Sequence, residues 1–231
     1  MFIPVTHGRL EARLHLPESE PLAAGVFCHP HPLYGGSMNT RAVFRICRAL
    51  MECGVAVLRF NFRGVGASTG GFDGGAGELD DARCAIGWMR ERFFDQKLVV
   101  GGFSFGSAIG MQAGVEEPRT GLLIGAGVPV IGREYDFSPV LESNLPLFVV
   151  QGGHDEFGTP EQVREAFEGM GERLHLTGIP GADHLFTGRM AELRDAVKGR
   201  FRSEEVRLRL AAACGQPADR EQPGTVPQGL N

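Results

Sequence analysis

Gly102-Phe103-Ser104-Phe105-Gly106 lies between an apolar run, Lys97-Leu98-Val99-Val100-Gly101, and a stretch of small, helix-compatible residues, Ser107-Ala108-Ile109-Gly110-Met111-Gln112-Ala113. A short β-branched apolar run reads as a strand buried on both faces. Its passage straight into a helix makes the five residues a sharp corner that lifts the central side chain clear of a sheet. Ser104 is expected there in a strained backbone conformation. Strand and helix pass so close that only very small residues fit two positions to either side, which accounts for Gly102 and Gly106. The corner also turns the N–H of Phe105 and the start of the helix towards whatever Ser104 attacks. In a chain with 34 glycines the bare G-x-S-x-G spacing carries little weight. Its flanking strand and helix are what give it meaning.

Outward from the corner, similar apolar runs recur: Ala24-Gly25-Val26-Phe27-Cys28, Val55-Ala56-Val57-Leu58-Arg59-Phe60, Gly121-Leu122-Leu123-Ile124-Gly125, Leu147-Phe148-Val149-Val150 and Arg173-Leu174-His175-Leu176. Most are separated by helical patterns. Residues 39–53 carry Val43, Ile46, Cys47 and Leu50 at helical spacing, with Arg41, Arg45 and Arg48 outside and Gly54 as the stop. Residues 78–93 place Leu79, Ala82, Ile86 and Met89 on one face, and Glu78, Asp80 and Asp81 in the first turn, where the helix dipole favours acids. Pro160 opens a further helix, residues 187–201 form another, and 203–214 add a last one. Alternating polar and apolar residues over 8–16 read as a half-exposed strand hairpinned to 2–6. This order predicts an α/β fold, a mostly parallel sheet with helices on both faces. Residues 1–214 form one domain, and 215–231 have too little apolar surface to offset their ordering entropy and read as a disordered tail.

At 231 residues the chain is long enough for a large core and short for two ordinary α/β domains. A net charge of −5 with no run of Lys or Arg argues against nucleic acid or an anionic membrane surface as partner. No segment approaches the roughly 18 apolar residues of a membrane span, and Met1-Phe2-Ile3-Pro4-Val5-Thr6 is no signal peptide, so the expected compartment is the cytoplasm. The five cysteines, at 28, 47, 53, 84 and 214, are scattered and read as reduced core residues. The sequence carries no signal for oligomeric state.

A serine hydroxyl is a weak nucleophile at neutral pH and needs a base within hydrogen-bond reach, itself oriented by a carboxylate. Both are available at strand ends. Asp155 follows the run 147–150 in Gln151-Gly152-Gly153-His154-Asp155-Glu156-Phe157-Gly158, and His184 follows the next strand in Pro180-Gly181-Ala182-Asp183-His184-Leu185-Phe186. Asp183 and Glu156 are alternative acids, and His154 reads as a loop residue. His29 and His31 have the spacing of metal ligands but no third ligand beside them, and the prolines next to them suggest a rigid loop. Neither a metal nor a cofactor is expected. His7 and His15 belong to the N-terminal hairpin. Arg63 with Gly64 and Gly66 suggests an anion cradle.

Taken with His29-Pro30-His31-Pro32-Leu33-Tyr34-Gly35-Gly36 and Asn61-Phe62-Arg63-Gly64-Val65-Gly66-Ala67-Ser68, these motifs span residues 26–190 and resemble the α/β-hydrolase superfamily. Within it the chain is similar to the small cap-less bacterial serine hydrolases grouped with dienelactone hydrolases. The order Ser104, Asp155, His184 is the one that fold uses, and the resemblance implies that the loop holding Arg63 mainly shapes the edge of the sheet. Dienelactone hydrolases proper carry cysteine at the corner, so the serine does not imply their reaction. The resemblance implies a Ser104, Asp155, His184 triad and an oxyanion hole of two backbone N–H groups. One is Phe105. The other comes from residues 29–36, where Pro30 and Pro32 have no N–H and His31, Leu33 and Tyr34 remain. By similarity to the His-Gly-X-Pro form of this loop, His31 takes the X position.

Residues 127–145 are too few for a cap domain. Val128, Val130, Ile131, Tyr135 and Phe137, with Leu33, Tyr34 and Phe103 or Phe105, are expected to line a shallow acyl pocket. The expected activity is hydrolysis of a small-molecule carboxylic ester through an acyl-enzyme. Thioesterase, peptidase and cofactor-free perhydrolase chemistry use the same parts, and a ligand-binding protein that has lost turnover would keep the fold.

Overall fold

The computed structural model describes residues 1–132 and 135–212. The expected tail, Cys214 and the end of the last predicted helix lie outside these residues. Among the described residues, eight strands form one sheet in the order β1-β2-β4-β3-β5-β6-β7-β8. These are β1 Phe2–Val5, β2 Gly8–His15, β3 Ala23–Cys28, β4 Val55–Phe60, β5 Leu98–Phe103, β6 Thr120–Ala126, β7 Leu147–Gly152 and β8 Leu174–Ile179. The hairpin β1–β2 joins β4 antiparallel, and every pairing from β4 to β8 is parallel.

Seven α-helices among the described residues cover the two faces: α1 Arg41–Glu52, α2 Ala76–Arg92, α3 Phe105–Glu116, α4 Ser138–Glu142, α5 Pro160–Ala166, α6 Met190–Arg202 and α7 Glu204–Ala211. The central strands are buried at every position because side chains alternate between two cores. Phe27, Val55 and Val57 pack with residues of α1, α6 and α7. Val26, Ala56, Leu58 and Phe60 pack with α2 and α3. A third cluster joins α3, α4 and α5 against β6 and β7. Each fully buried large side chain contributes about 1.5–3 kcal/mol.

The differences from expectation have local causes. Strand β5 continues through Gly101 and Gly102 to Phe103, because the absence of a side chain at 101 lets β6 approach: a Cβ there would sit 1.7 Å from the Ile124 carbonyl oxygen. The short helix α4 was not anticipated; it starts at Ser138, with Pro139 in its first turn, and has too few residues to carry a period. Helix α2 starts at Ala76, so Asp81 lies beyond its first turn and faces inward. It is buried and accepts from Arg63 Nη2 at 2.9 Å and from the Arg63 backbone N–H at 2.8 Å, with His7 Nε2 2.9 Å away. That cluster ties the hairpin and residues 61–68 to α2, the structural role expected of Arg63. Cys28, Cys47 and Cys53 are buried, but Cys84 is exposed on the outer side of α2. No helix among the described residues is long and apolar enough to cross a membrane.

The chain runs from β3 outward to β4 and then returns past β3 to β5. The crevice at the carboxyl ends of β3 and β5 is therefore a topological switch point, where open parallel sheets bind ligands. Residues 29–36 leave β3 there, and Ser104 ends β5 beside them.

Candidate active site

Ser104 sits between β5 and α3 with φ 55° and ψ −125°, a backbone conformation that costs a non-glycine residue on the order of 1–3 kcal/mol. The closeness of the elements that hold it explains its neighbours. A Cβ at Gly102 would lie 2.3 Å from the carbonyl oxygen of Gly106, and one at Gly106 would lie 2.3 Å from that of His29. The corner is thus wedged against both its own helix and the end of β3. The hydroxyl of Ser107 donates to the Ser104 carbonyl at 2.6 Å and closes the first turn.

His184 bridges Ser104 and Asp155. The Ser104 hydroxyl donates to Nε2 at 2.8 Å, and the Nδ1–H donates to the two Asp155 oxygens at 3.0 and 2.9 Å. These partners require the tautomer protonated on Nδ1, which leaves Nε2 able to take a proton. His184 is held between the ring of Phe103, stacked at 5.2 Å, and that of Phe157, edge-on at 4.6 Å. Asp183 is not an alternative acid: its carboxylate accepts from the Thr187 N–H at 2.8 Å, which holds its pKa below the usual carboxylate value. His154 and Glu156 are not among the hydrogen-bond partners of His184.

Gln151, which the sequence reading passed over, spans the space behind Asp155. Its amide donates to Asp155 Oδ2 at 2.9 Å and to the Gly158 carbonyl at 2.7 Å, and its oxygen accepts from the Val128 N–H at 2.8 Å. The Phe157 N–H donates to the other Asp155 oxygen at 2.9 Å. A glutamine at the end of a strand that is otherwise buried and apolar was the available signal. Fully buried amides must be satisfied, and this one is satisfied by the carboxylate and by the loops on either side.

On the other side of Ser104, His29 anchors the loop that follows β3. Its Nδ1–H donates to the Pro30 carbonyl at 2.6 Å and its Nε2 accepts from the Phe62 N–H at 3.0 Å. Both ring nitrogens are engaged by backbone, and burial lowers the pKa to about 4, so the ring is neutral. In residues 29–36 the Leu33 N–H donates to His31 Nδ1 at 3.2 Å and the Tyr34 N–H to the His31 carbonyl at 3.1 Å. Two of the three possible oxyanion donors of this loop are thus committed within it. The Phe105 N–H, at the first position of α3, has no acceptor within the helix.

A cavity of about 520 Å³ opens over Ser104 and His184. Of the expected lining residues, Tyr34, Phe103, Phe105 and Tyr135 are present, joined by Pro129, Phe157 and Leu185. Leu33 and Val128 are not. Leu33 sits at the tip of the Pro32–Tyr34 turn and is 67% exposed, pointing away from the cavity. Val128 is buried in the core cluster of α3 to α5, because its N–H is fixed by Gln151 and the next residue, Pro129, faces the cavity instead. Val130 and Phe137 pack against that same cluster, and Ile131 is exposed.

Residues 26–198 match the alpha/beta hydrolase domain family. The chain belongs to that family. A Coxiella burnetii α/β serine hydrolase homologue is 34% identical, with 87% of this chain and 95% of that one covered at a TM-score of 0.81. The Xanthomonas campestris protein XC6422, described as an α/β serine hydrolase without a lid, is 33% identical over 86% of this chain and 91% of its own, at a TM-score of 0.78. The Rickettsia prowazekii protein RP471 is 34% identical over 82% of this chain and 83% of its length. The likeness places this α/β hydrolase with the cap-less serine hydrolases, and the sheet order and the short 127–145 connection agree with that grouping.

Proposed function

We propose that the protein is a serine esterase that cleaves small carboxylic esters through an acyl-enzyme. His184 Nε2 takes the Ser104 hydroxyl proton as Oγ attacks the ester carbonyl carbon, and the carbonyl electron pair moves onto oxygen. The N–H groups of Phe105 and His31 hold that oxyanion, each such donor typically giving about 10²–10³ in rate. The tetrahedral adduct collapses, and His184 returns the proton to the departing alcohol. Water then enters and gives a proton to the same nitrogen as its oxygen attacks the acyl carbon, and His184 returns that proton to Ser104 Oγ as the Oγ–acyl bond breaks and the acid leaves. Asp155 stays ionised throughout and stabilises the imidazolium.

The observation that carries this reading is the pair of short contacts made by one ring, 2.8 Å to Ser104 and 2.9 Å to Asp155. The apolar cavity with Tyr34, Phe103 and Tyr135 on its walls suits a compact acyl or alcohol group. Hydrolysis of short p-nitrophenyl esters tests it. Wild type should turn them over and Ser104→Ala should lose about 10⁶ in kcat. Undiminished activity in Ser104→Ala would sink the mechanism. Comparison of kcat/KM for matched ester, thioester and amide then ranks the acyl donors.

A further inference from the structure

A second cavity, about 500 Å³, lies beside the first. Their walls are continuous along the chain. Thr40 and Leu185 line the active-site cavity, while Asn39, Arg41 and Gly188 line its neighbour. Arg41 and Arg45 stand one turn apart on the same side of α1, and both reach this second space. Neither forms an ion pair or hydrogen bond with a described residue. Arg48, on the next turn, is paired with Glu52 at 3.1 Å.

Behind the wall sits a third guanidinium. Arg59 is only 3% exposed, and its polar partners are all uncharged: His15 Nε2 accepts from Nε at 2.9 Å, and Asn39 Oδ1 accepts from Nη1 at 3.0 Å, as does the Met38 carbonyl. The Phe44 ring lies 5.2 Å from its centre. Asn39 and Phe44 are themselves lining residues of the second cavity. A buried cation without an opposing carboxylate loses hydration and gains no counter-charge. Its field extends into the nearest opening, where the two unpaired arginines already stand. No aspartate or glutamate lines that opening.

We propose that this cavity is an anion subsite of the active site, so that the substrate carries a carboxylate or phosphate that seats against Arg41 and Arg45 while its ester carbonyl reaches Ser104. The inference rests on the reading of Ser104 as the nucleophile. Guanidinium groups suit either anion because their planar donor forks match both. The substrate class is an ester with a remote anion, and Arg41 and Arg45 give the net negative protein a local positive surface at that end of it.

Two matched ester pairs test the proposal. In one, the acyl chain ends in a carboxylate, as in the mono-p-nitrophenyl ester of glutaric acid, against its methyl ester. In the other, the acetate ester of 4-hydroxyphenylacetate is set against that of the amide, which puts the charge on the alcohol. At low salt at least one charged ester should exceed its neutral partner by about tenfold in kcat/KM, mostly through KM, as two partly screened charge pairs allow. That ratio should fall towards one in Arg41→Gln/Arg45→Gln, and in wild type at high salt. A ratio near one for both pairs in wild type, or an unchanged ratio in the double variant, overturns the subsite. Calorimetric titration of Ser104→Ala with inorganic phosphate separates the two ideas. Binding that weakens when Arg41→Gln and Arg45→Gln are added supports the subsite even if no ester is turned over, a result that would remove the esterase reading alone. Absent or equal binding counts against the subsite.

Discussion

Asp155 and residues 29–36 flank the same serine and are held in different ways. The carboxylate is buried and takes hydrogen bonds from His184, Gln151 and the Phe157 N–H, and Gln151 fastens it in turn to the loops at Val128 and Gly158. The loop of residues 29–36 hangs from one buried ring, His29, and from the His31 ring, which packs on Phe72 at 4.8 Å and on Phe105 at 4.9 Å, with Leu33 and Tyr34 about two-thirds exposed. In the proposed mechanism proton transfer depends on tenths of an ångström, and the side that would govern it is held by several hydrogen bonds at once. Recognition of varied acyl or alcohol groups by the proposed esterase would gain from open aromatic surface, which the exposed Tyr34 supplies on the other side.

Substitutions can break this contrast. The largest effect is expected for Asp155→Asn, which keeps the shape and favours the wrong histidine tautomer; kcat should fall by about 10⁴ while the protein stays folded. A loss below tenfold would mean the acid side is not what orients His184. On the loop side the vulnerable point is His29. Its folded pKa, about 4, lies below the ordinary value, so between about 6.5 and 4 the unfolded chain binds more protons. Stability is full above that window and is lost as pH falls through it, by on the order of 3 kcal/mol for this group. Urea unfolding from pH 7 to pH 4 should show this slope in wild type and a shallower one in His29→Phe.

Gln151→Met removes three partners while keeping the length. Roughly 10–100-fold in kcat should be lost with KM little changed, together with about 1–3 kcal/mol for each buried group left unpaired. An effect on KM alone would show that Gln151 shapes the pocket rather than the acid. Smallest are the pocket rim substitutions. Tyr135→Ala should raise KM for aromatic esters by roughly three- to tenfold, and Leu33→Ala should stay within about twofold, as an exposed position outside the cavity allows.

The same contrast decides what could be read in the sequence. Ser104, Asp155 and His184 were legible because each follows an apolar run, and the sheet forces strand ends to one edge. The glycines at 102 and 106 were legible because their cause is a steric approach between neighbouring elements. Leu33 and Val128 were misplaced because hydrophobicity says that a side chain seeks apolar surroundings, and says nothing of whether it turns into a cavity, a core or solvent. Which way Val128 faces is set by a hydrogen bond to Gln151, 23 residues away. Asp81 was read as a dipole partner at a helix start, and its pairing with Arg63 and His7 depends on a helix boundary two residues earlier than the apolar pattern marks.

The central claim is that Ser104, activated by His184, is the group that becomes acylated. A fluorophosphonate probe followed by peptide mapping tests it most directly. The account predicts one adduct per chain, on Ser104, formed together with loss of esterase activity and slowed by orders of magnitude in His184→Ala. An adduct on another residue, or none under conditions in which the protein hydrolyses esters, would contradict it.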